Sequence, residues 1–277
     1  MKRAETRTPE QLREHYEVER ELAERLRNST REERRELYHE CYDELFRRVP
    51  HHHLLTKKKD GDIETLYGNV LALLRPRVSP QTIFLEIGAG DCKVSLEMAR
   101  HVRQVYAVDV SEAMVEGIEA PENFELILSD GCTLSVESES VDLVVSNQLM
   151  EHVHPDDVPL QLSEVHRVLK PGGRFLCFTP HRFSGPHDIS KYFDEVASGF
   201  HLREYSAAEL AHELRAAGFA EITRIAEARG RSLSLPLWPV VMLESVLELL
   251  PASTRRRVCL RRGASILFER LIVLAQK

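Results

Sequence analysis

The chain has no uninterrupted run of apolar residues long enough to cross a membrane, no paired-cysteine motif and one tryptophan. Its five cysteines (Cys41, Cys92, Cys132, Cys177, Cys259) are an odd, scattered set with no C-x-x-C spacing. That argues against a disulfide framework and a structural zinc knuckle, and fits a reducing cytosol. The opening "MKRAETRTPEQLREHYEVERELAERL" contains no apolar core segment and does not read as a signal peptide. The most apolar stretch, around Leu235 to Leu250, is broken by Pro236, Pro239 and Glu244, so it reads as a buried or surface-docking helix. The expectation is a cytoplasmic protein without stable membrane insertion. Excess basic charge is missing too: 37 basic residues against 44 acidic give a net charge of −7, a poor basis for general nucleic-acid binding.

What is present is a chain of 277 residues, 43% hydrophobic, which suits one large domain with an appendage. Residues 1–80 read as an N-terminal helical lid or appendage. Leu12, Tyr16, Leu22 and Leu26 recur at helical spacing. A second helix follows "NST", carries Leu37, Tyr38, Cys41, Leu45 and Phe46 on one face, and ends at Pro50. The connector "HHHLLTKKKDGD" reads as polar loop, with Lys57 to Lys59 as a solvated charge run. A further helix is expected from Ile63 to Leu74.

From Gln81 the texture alternates. Strands are expected at 82–87, 104–109, 124–128, 141–146 and 173–179, with helices at 93–101, 112–119 and 155–169 between them. Ser206–Ala217 and "GFAEITRIAEA" continue as helix and strand, and "ERLIVLAQK" is a last strand. Short apolar strands alternating with amphipathic helices imply an α/β, doubly wound, mostly parallel sheet of seven strands over 81–277, with a helical insertion at about 235–262.

In such a sheet ligands bind beyond the carboxyl ends of the strands, where strand order reverses. The first strand-to-helix turn reads "EIGAGDCK", Glu86 to Lys93. Gly88 and Gly90, flanking Ala89, let the backbone turn tightly and approach a ligand. The third glycine of a dinucleotide fingerprint is replaced by Lys93, and the G-K-[ST] end of a P-loop is absent. Glu86 would repel a pyrophosphate and attract a cationic group. The next strand, "VYAVDVS", ends in Asp109, suited to the two hydroxyls of a ribose. The third, "ELILSDG", ends in Asp130, suited to an adenine amine. Ribose, adenine, a cationic end and no phosphate describe S-adenosylmethionine.

The segment Phe84 to Gly218 resembles the class I S-adenosylmethionine-dependent methyltransferases, which have a Rossmann-like fold. The pieces "LEIGAGD", "VYAVDVS", "LILSDG", "VDLVVSNQLMEHV", "EVHRVLKPGGRFL" and "LAHELRAAGF" stand in family order. The resemblance implies that Glu86, Gly88, Ala89 and Gly90 bind the methionine end of the donor. It further implies that Asp109 and Val110 bind ribose and adenine, that Asp130 and Gly131 border the adenine edge, and that Asn147 lies near the amino-acid part. Pro171, Gly172 and Gly173 would be structural. The family often has a third glycine where Cys92 stands.

Methyl transfer to a hydroxyl or ammonium needs a base, expected from the loops after strands four and five. "NQLMEHVHPDD" supplies Glu151, His152 and His154; "TPHRFSGPHDISKYFDEVASGFHLREYS" supplies His181, His187, Asp188 and His201. His187 and His181 are the preferred acid/base candidates, then His152, while His201 beside Phe200 reads as a packed core residue. No spacing specifies a metal ligand set, so no metal is assigned, although this density of His and carboxylate suits Mg²⁺ or Zn²⁺. Leu237, Trp238, Val241, Met242 and Leu243 would wall an acceptor lid, and Arg255–Arg257 read as a solvated face. The expected activity is methyl transfer to a small-molecule acceptor at oxygen or nitrogen, in secondary or glycan metabolism, with neither nucleic acid nor membrane as partner and a homo-oligomer compatible with the sequence. The alternatives are a non-catalytic donor-binding scaffold and, opposed by Lys93 and Glu86, an NAD dehydrogenase.

Overall fold

A computed structural model describes residues 5–52, 55, 63–110, 119–228 and 231–277. The helix expected at 112–119, the run Lys57–Lys59 and His53 fall wholly or mostly outside these residues. Helix α1 (Pro9–Arg27) starts from a Thr8 capping box closed by Gln11, with Pro9 in its first turn. Helix α2 (Arg31–Arg48) uses the same device, Thr30 with Glu33. Helix α3 (Ile63–Leu74) follows. Then come β1 (Ile83–Ile87), α4 (Lys93–Ala99), β2 (Gln104–Asp109), β3 (Phe124–Leu128) and β4 (Val141–Asn147). The chain continues through α5 (Val158–Val168), β5 (Leu169–Pro180), α6 (Ala207–Ala216), β6 (Glu221–Ala228) and β7 (Arg231–Pro236). It ends with α7 (Leu237–Glu248), α8 (Ala252–Cys259), α9 (Ser265–Phe268) and β8 (Arg270–Gln276).

The sheet order is β3-β2-β1-β4-β5-β8-β6-β7. Strands β1 to β5 pair in parallel, whereas β8 runs antiparallel between β5 and β6. The order reverses between β1 and β4, so the switch point lies at the turn after β1. Both faces are buried: Leu85, Val144 and Phe175 pack under α5 and α6, while Phe84, Val145 and Leu176 pack under α3 and α4. That explains why these strands are apolar throughout.

Eight strands replace the expected seven. The addition is β7, "RSLSLP", which forms an antiparallel hairpin with β6 and is mostly exposed at the sheet edge. Its alternation of Ser and Leu is the half-buried strand pattern, hidden in the sequence by the apolar helix that follows. The apolar wall expected on that helix also divides: Leu237 is buried, but Trp238 is 66% and Met242 61% exposed, with Leu243 exposed as well. These side chains face solvent. No helix among the described residues is long and apolar enough to cross a membrane.

Helices α1 and α2 pack together over the carboxyl end of the sheet. Leu22, Leu26, Tyr38, Cys41 and Leu45 form one core with Phe200 of the loop after β5, and Val110 packs against it. A buried ion pair fixes this arrangement: Arg34 Nε and Nη2 donate to Asp157 Oδ2 and Oδ1 at 2.7 and 2.9 Å. The Tyr38 hydroxyl donates to Asp157 at 3.1 Å and accepts the His154 amide at 2.8 Å.

Candidate functional site

After β1 the chain turns through Gly88 (φ +69°) and Gly90 (φ +53°) into Cys92 (φ +53°), where α4 begins. The amides of Gly88 and Ala89 donate to the Val108 carbonyl at 2.8 and 3.1 Å, so the tip of β2 pins the turn. A Cβ on Gly88 would lie 2.9 Å from the Leu149 side chain; one on Gly90 would meet nothing within 4 Å. Gly88 is therefore demanded by packing, and Gly90 leaves bare backbone open at the switch point.

Asp109 stands at the end of β2 as expected. Its Oδ2 accepts the Gly90 amide at 2.7 Å and its Oδ1 the Val110 amide at 2.8 Å. Asp109 and the glycine turn are thus one hydrogen-bonded unit. Val110 and Gly131 (φ +86°) come together as well: a Cβ on Gly131 would sit 3.1 Å from the Tyr38 ring and 3.7 Å from Val110. Tyr38, from α2, is a contributor that sequence reasoning placed only on a helix face. Asn147 ends β4 beside the turn, opposite Phe178.

Two acids differ from expectation. Glu86 is 2% exposed, and its Oε2 accepts the Ser95 hydroxyl at 2.5 Å. Burial, with the charges of Asp91 and Asp109 adding, pushes its carboxyl up to about 8. Glu86 lies under the turn and ties β1 to α4; it is not an exposed lip. Asp130 is spent on its own loop: Oδ1 accepts the Cys132 and Thr133 amides at 3.0 and 2.7 Å. Its Oδ2 accepts the Thr133 hydroxyl at 2.9 Å and faces Arg35 at 3.4 Å. It shapes the loop after β3 and presents no bare carboxylate.

The expected acid/base residues separate in the structure. His181 is fully buried between Phe183 and Phe268. Its Nδ1 accepts the Phe183 amide at 3.2 Å, so Nε2–H donates to Glu244 at 2.8 Å. Glu244 in turn accepts the first amides of α6, Ala207 and Ala208. His181 is a structural clamp with both nitrogens used, which removes it as a base. His187 donates Nε2–H to the His181 carbonyl at 3.2 Å, contacts Ser184 Oγ at 3.0 Å, and keeps Nδ1. His152 donates Nδ1–H to the Phe200 carbonyl at 2.9 Å and keeps Nε2. Burial lowers His152 to about 3, so its ring is neutral.

His201 is more than core packing. Burial opposes its charge, but the hydrogen bond to Glu204 at 2.8 Å and the carboxylates of Glu151 and Asp188 outweigh this and raise it to about 9. Glu151, fully buried, accepts the Thr179 hydroxyl at 2.9 Å, and burial pushes it up to about 7. Glu19 of α1 reaches across to accept the Phe200 amide at 2.9 Å. Glu19 and Glu204 were missed as site residues; the only sequence signal was the His201-x-x-Glu204 spacing. Two cavities, of about 330 and 350 Å³, open elsewhere: one between Arg75 and Val102, the other around Asp142 and Arg174. Neither includes a residue of the glycine turn.

Residues 85–177 match the family model described as a methyltransferase domain. A probable S-adenosylmethionine-dependent methyltransferase of Mycolicibacterium smegmatis is 36% identical over 136 residues, 49% of this chain and 51% of that protein. A carboxy-S-adenosyl-L-methionine synthase of Vibrio atlanticus is 31% identical over 122 residues, 39% of this chain and 50% of that protein. The chain spans about half the length of these curated relatives. Among solved structures, a SAM-dependent methyltransferase from Archaeoglobus fulgidus matches with a TM-score of 0.55 at 19% identity, covering 81% of this chain and 98% of that one. At that identity the likeness speaks for the fold. The family match spans β1 to β5 and the glycine turn that Asp109 holds at the switch point, so residues 85–177 carry a methyltransferase domain and the sheet around them has the fold of these relatives.

Proposed function

We propose that the protein moves the methyl group of S-adenosylmethionine to an oxygen or nitrogen of a small-molecule acceptor. The observation that carries this reading is the unit formed by Gly90 and Asp109: open backbone at the switch point, hydrogen-bonded to an acid at the tip of the next strand. When bound, the donor supplies a sulfonium-activated methyl group that an acceptor displaces in line. Asp109 would accept the ribose hydroxyls, and Val110, Gly131 and Tyr38 would border the adenine. Glu86, from beneath the turn, would add negative charge near the methionine end. The N-terminal helices would exclude water and help hold the acceptor, because substrate identity resides in such additions and not in the sheet. Of the three histidines, His187 and His152 keep an unused nitrogen; burial holds His152 at about 3, too low for a base near neutral pH, and His187 is the proposed base.

An acidic chain whose loop after β4 reads "SNQLMEH" favours a small acceptor over nucleic acid. The likeness to a carboxy-S-adenosyl-L-methionine synthase supports one competing reading, in which the donor itself is modified. Calorimetry with S-adenosylhomocysteine, followed by mass spectrometry of donor and acceptor panel, separates the readings. Methylated acceptor supports methyl transfer, a mass gain on the donor supports donor modification, and tight binding without any product points to a scaffold. His187→Ala is expected to reduce turnover by about 10²-fold or more with donor affinity unchanged; full activity would remove His187 as the base.

A further inference from the structure

Glu151, His152 and His201 come from two loops, one after β4 and one after β5. One ligand atom of each lies within 4.8 Å of those of the other two. We propose that these side chains hold a divalent first-row transition-metal ion in a two-histidine, one-carboxylate site.

Hydrogen bonding prepares each residue for that role. The Phe200 carbonyl can only accept, so His152 carries its proton on Nδ1 and offers Nε2. His201 Nδ1–H donates to Glu204 at 2.8 Å, so that loss of the ring's second proton, which metal binding would displace, leaves Nε2 as the coordinating nitrogen. Metal-binding histidines characteristically donate their second nitrogen to a carbonyl or carboxylate in this way. Glu151 supplies the independent sign of a ligand. Its side chain is fully buried and Oε2 is held by Thr179, yet Oε1 has no hydrogen-bond partner among the described residues. A buried carboxylate oxygen without a partner is rare and costly, and a cation satisfies it.

The supports of these groups are themselves fixed. Glu204 also accepts the His187 amide at 2.7 Å. The Phe200 amide is held by Glu19 at 2.9 Å and the adjacent Gly199 amide by Asp188 at 2.9 Å, so the carbonyl that orients His152 is braced from both sides. A second cluster of similar composition, His15, Glu19 and His52, shows the contrast. There the Arg7 guanidinium donates to His15 Nδ1 at 2.7 Å, and His15 Nε2–H donates to Glu19 at 2.7 Å. Both nitrogens of His15 are consumed, and that cluster is a brace.

Two imidazoles with one carboxylate select zinc, manganese, iron or cobalt over magnesium or calcium, and three protein ligands leave coordination positions open. The site sits on the loop that begins at Asn147, beneath Tyr42, whose ring centroid is 6.2 Å from that of His152. An acceptor oxygen or nitrogen bound there would be held beside the donor. That role rests on the proposed methyl transfer; the metal site itself does not.

The test is titration of chelator-treated full-length protein with Zn²⁺ and Co²⁺, followed by calorimetry and by visible absorption of the cobalt form. The expected result is one ion per chain, with affinity falling more than about 10-fold in Glu151→Gln and in His201→Ala, since even outer partners are worth that much. Circular dichroism checks that the variants fold; His152→Ala, at a partly buried position, gives the same readout if they do not. No bound ion, or wild-type affinity in these variants, overturns the proposal, as does binding that is lost instead in His52→Ala. Parallel titration with S-adenosylhomocysteine keeps the two readings apart. Metal bound without nucleoside would sink the donor assignment alone, and nucleoside bound without metal would sink only the site proposed here.

Discussion

The proposed donor end and the proposed acceptor end of this molecule share the carboxyl edge of one sheet but are built in different ways. At the donor end the working parts are backbone and strand tips: the Gly90 amide, Asp109 at the tip of the neighbouring strand β2, and the Val108 carbonyl pinning the turn. Partners there are some twenty residues apart. At the acceptor end the parts are side chains drawn from the whole chain. Glu19 reaches Phe200, Arg34 reaches Asp157 and His181 reaches Glu244. One end is a property of the fold; the other depends on how the helices dock.

That contrast breaks most sharply at Arg34. Its guanidinium and the Asp157 carboxylate are 3% and 1% exposed, so cutting the cation back strands a buried negative charge. Arg34→Ala is expected to cost about 3–5 kcal/mol, with hydrogen exchange rising first in α1 and α2. Global unfolding with no preferential loss in those helices would show that the lid and sheet are one cooperative unit.

Glu86 tests the donor end through pH. Its native carboxyl titrates near 8 against an ordinary 4.5, so between those values the folded state holds a proton that the unfolded chain has lost. Stability is therefore greatest below about pH 4.5 as far as this group is concerned, and falls as pH rises through 8. Glu86→Gln should flatten that slope, removing roughly 5 kcal/mol of pH dependence. A cationic ligand near the turn would favour the ionised carboxylate. Donor binding at pH 7 is accordingly expected to release a proton in wild type and not in Glu86→Gln, as read from calorimetry in buffers of different ionisation enthalpy. Equal proton release in both proteins would place the cationic group elsewhere.

Asp109→Ala should weaken nucleoside binding by about 1–3 kcal/mol while leaving the sheet intact. It also removes the acceptor of the Gly90 amide, so Asp109→Asn serves as the milder partner, retaining that hydrogen bond and losing the charge. Calorimetric affinity unchanged in both would remove Asp109 from the site.

The same contrast explains what could be read from the chain alone. Strands β1 to β5, the glycine turn and the positions of Asp109, Val110 and Gly131 follow from local pattern, because period, turn chemistry and strand ends are written in consecutive residues. The states of Glu86 and Asp130 do not. Whether a strand-end acid points outward, lies under a turn or caps its own loop depends on Ser95, Thr133 and Arg35, which no motif includes. His181 and His201 both depart from expectation for a related reason. Burial among apolar neighbours is visible as sequence texture, but the partner that fixes a ring's tautomer lies on a separate element for His181. For His201 it lies three residues on, in an irregular loop.

Cys92 carries the smallest expected effect and the finest test. It occupies φ +53° at the start of α4, a conformation that costs an L-residue about 1–2 kcal/mol and that glycine adopts freely. Its side chain is nevertheless fully buried against Ala89 and Ala107. Cys92→Gly would relieve the backbone, lose that packing and add freedom to the unfolded chain. These terms are similar in size and opposed in sign. The net change should fall within about 1 kcal/mol of zero, measured as a shift in denaturant midpoint, with nucleoside affinity unchanged. A loss beyond about 2 kcal/mol would mean that packing under the turn, and not backbone freedom, sets the geometry of the donor end. The distinction between a backbone-built end and a side-chain-built end would then hold for Gly90 and Asp109 but stop short of the helix that follows them.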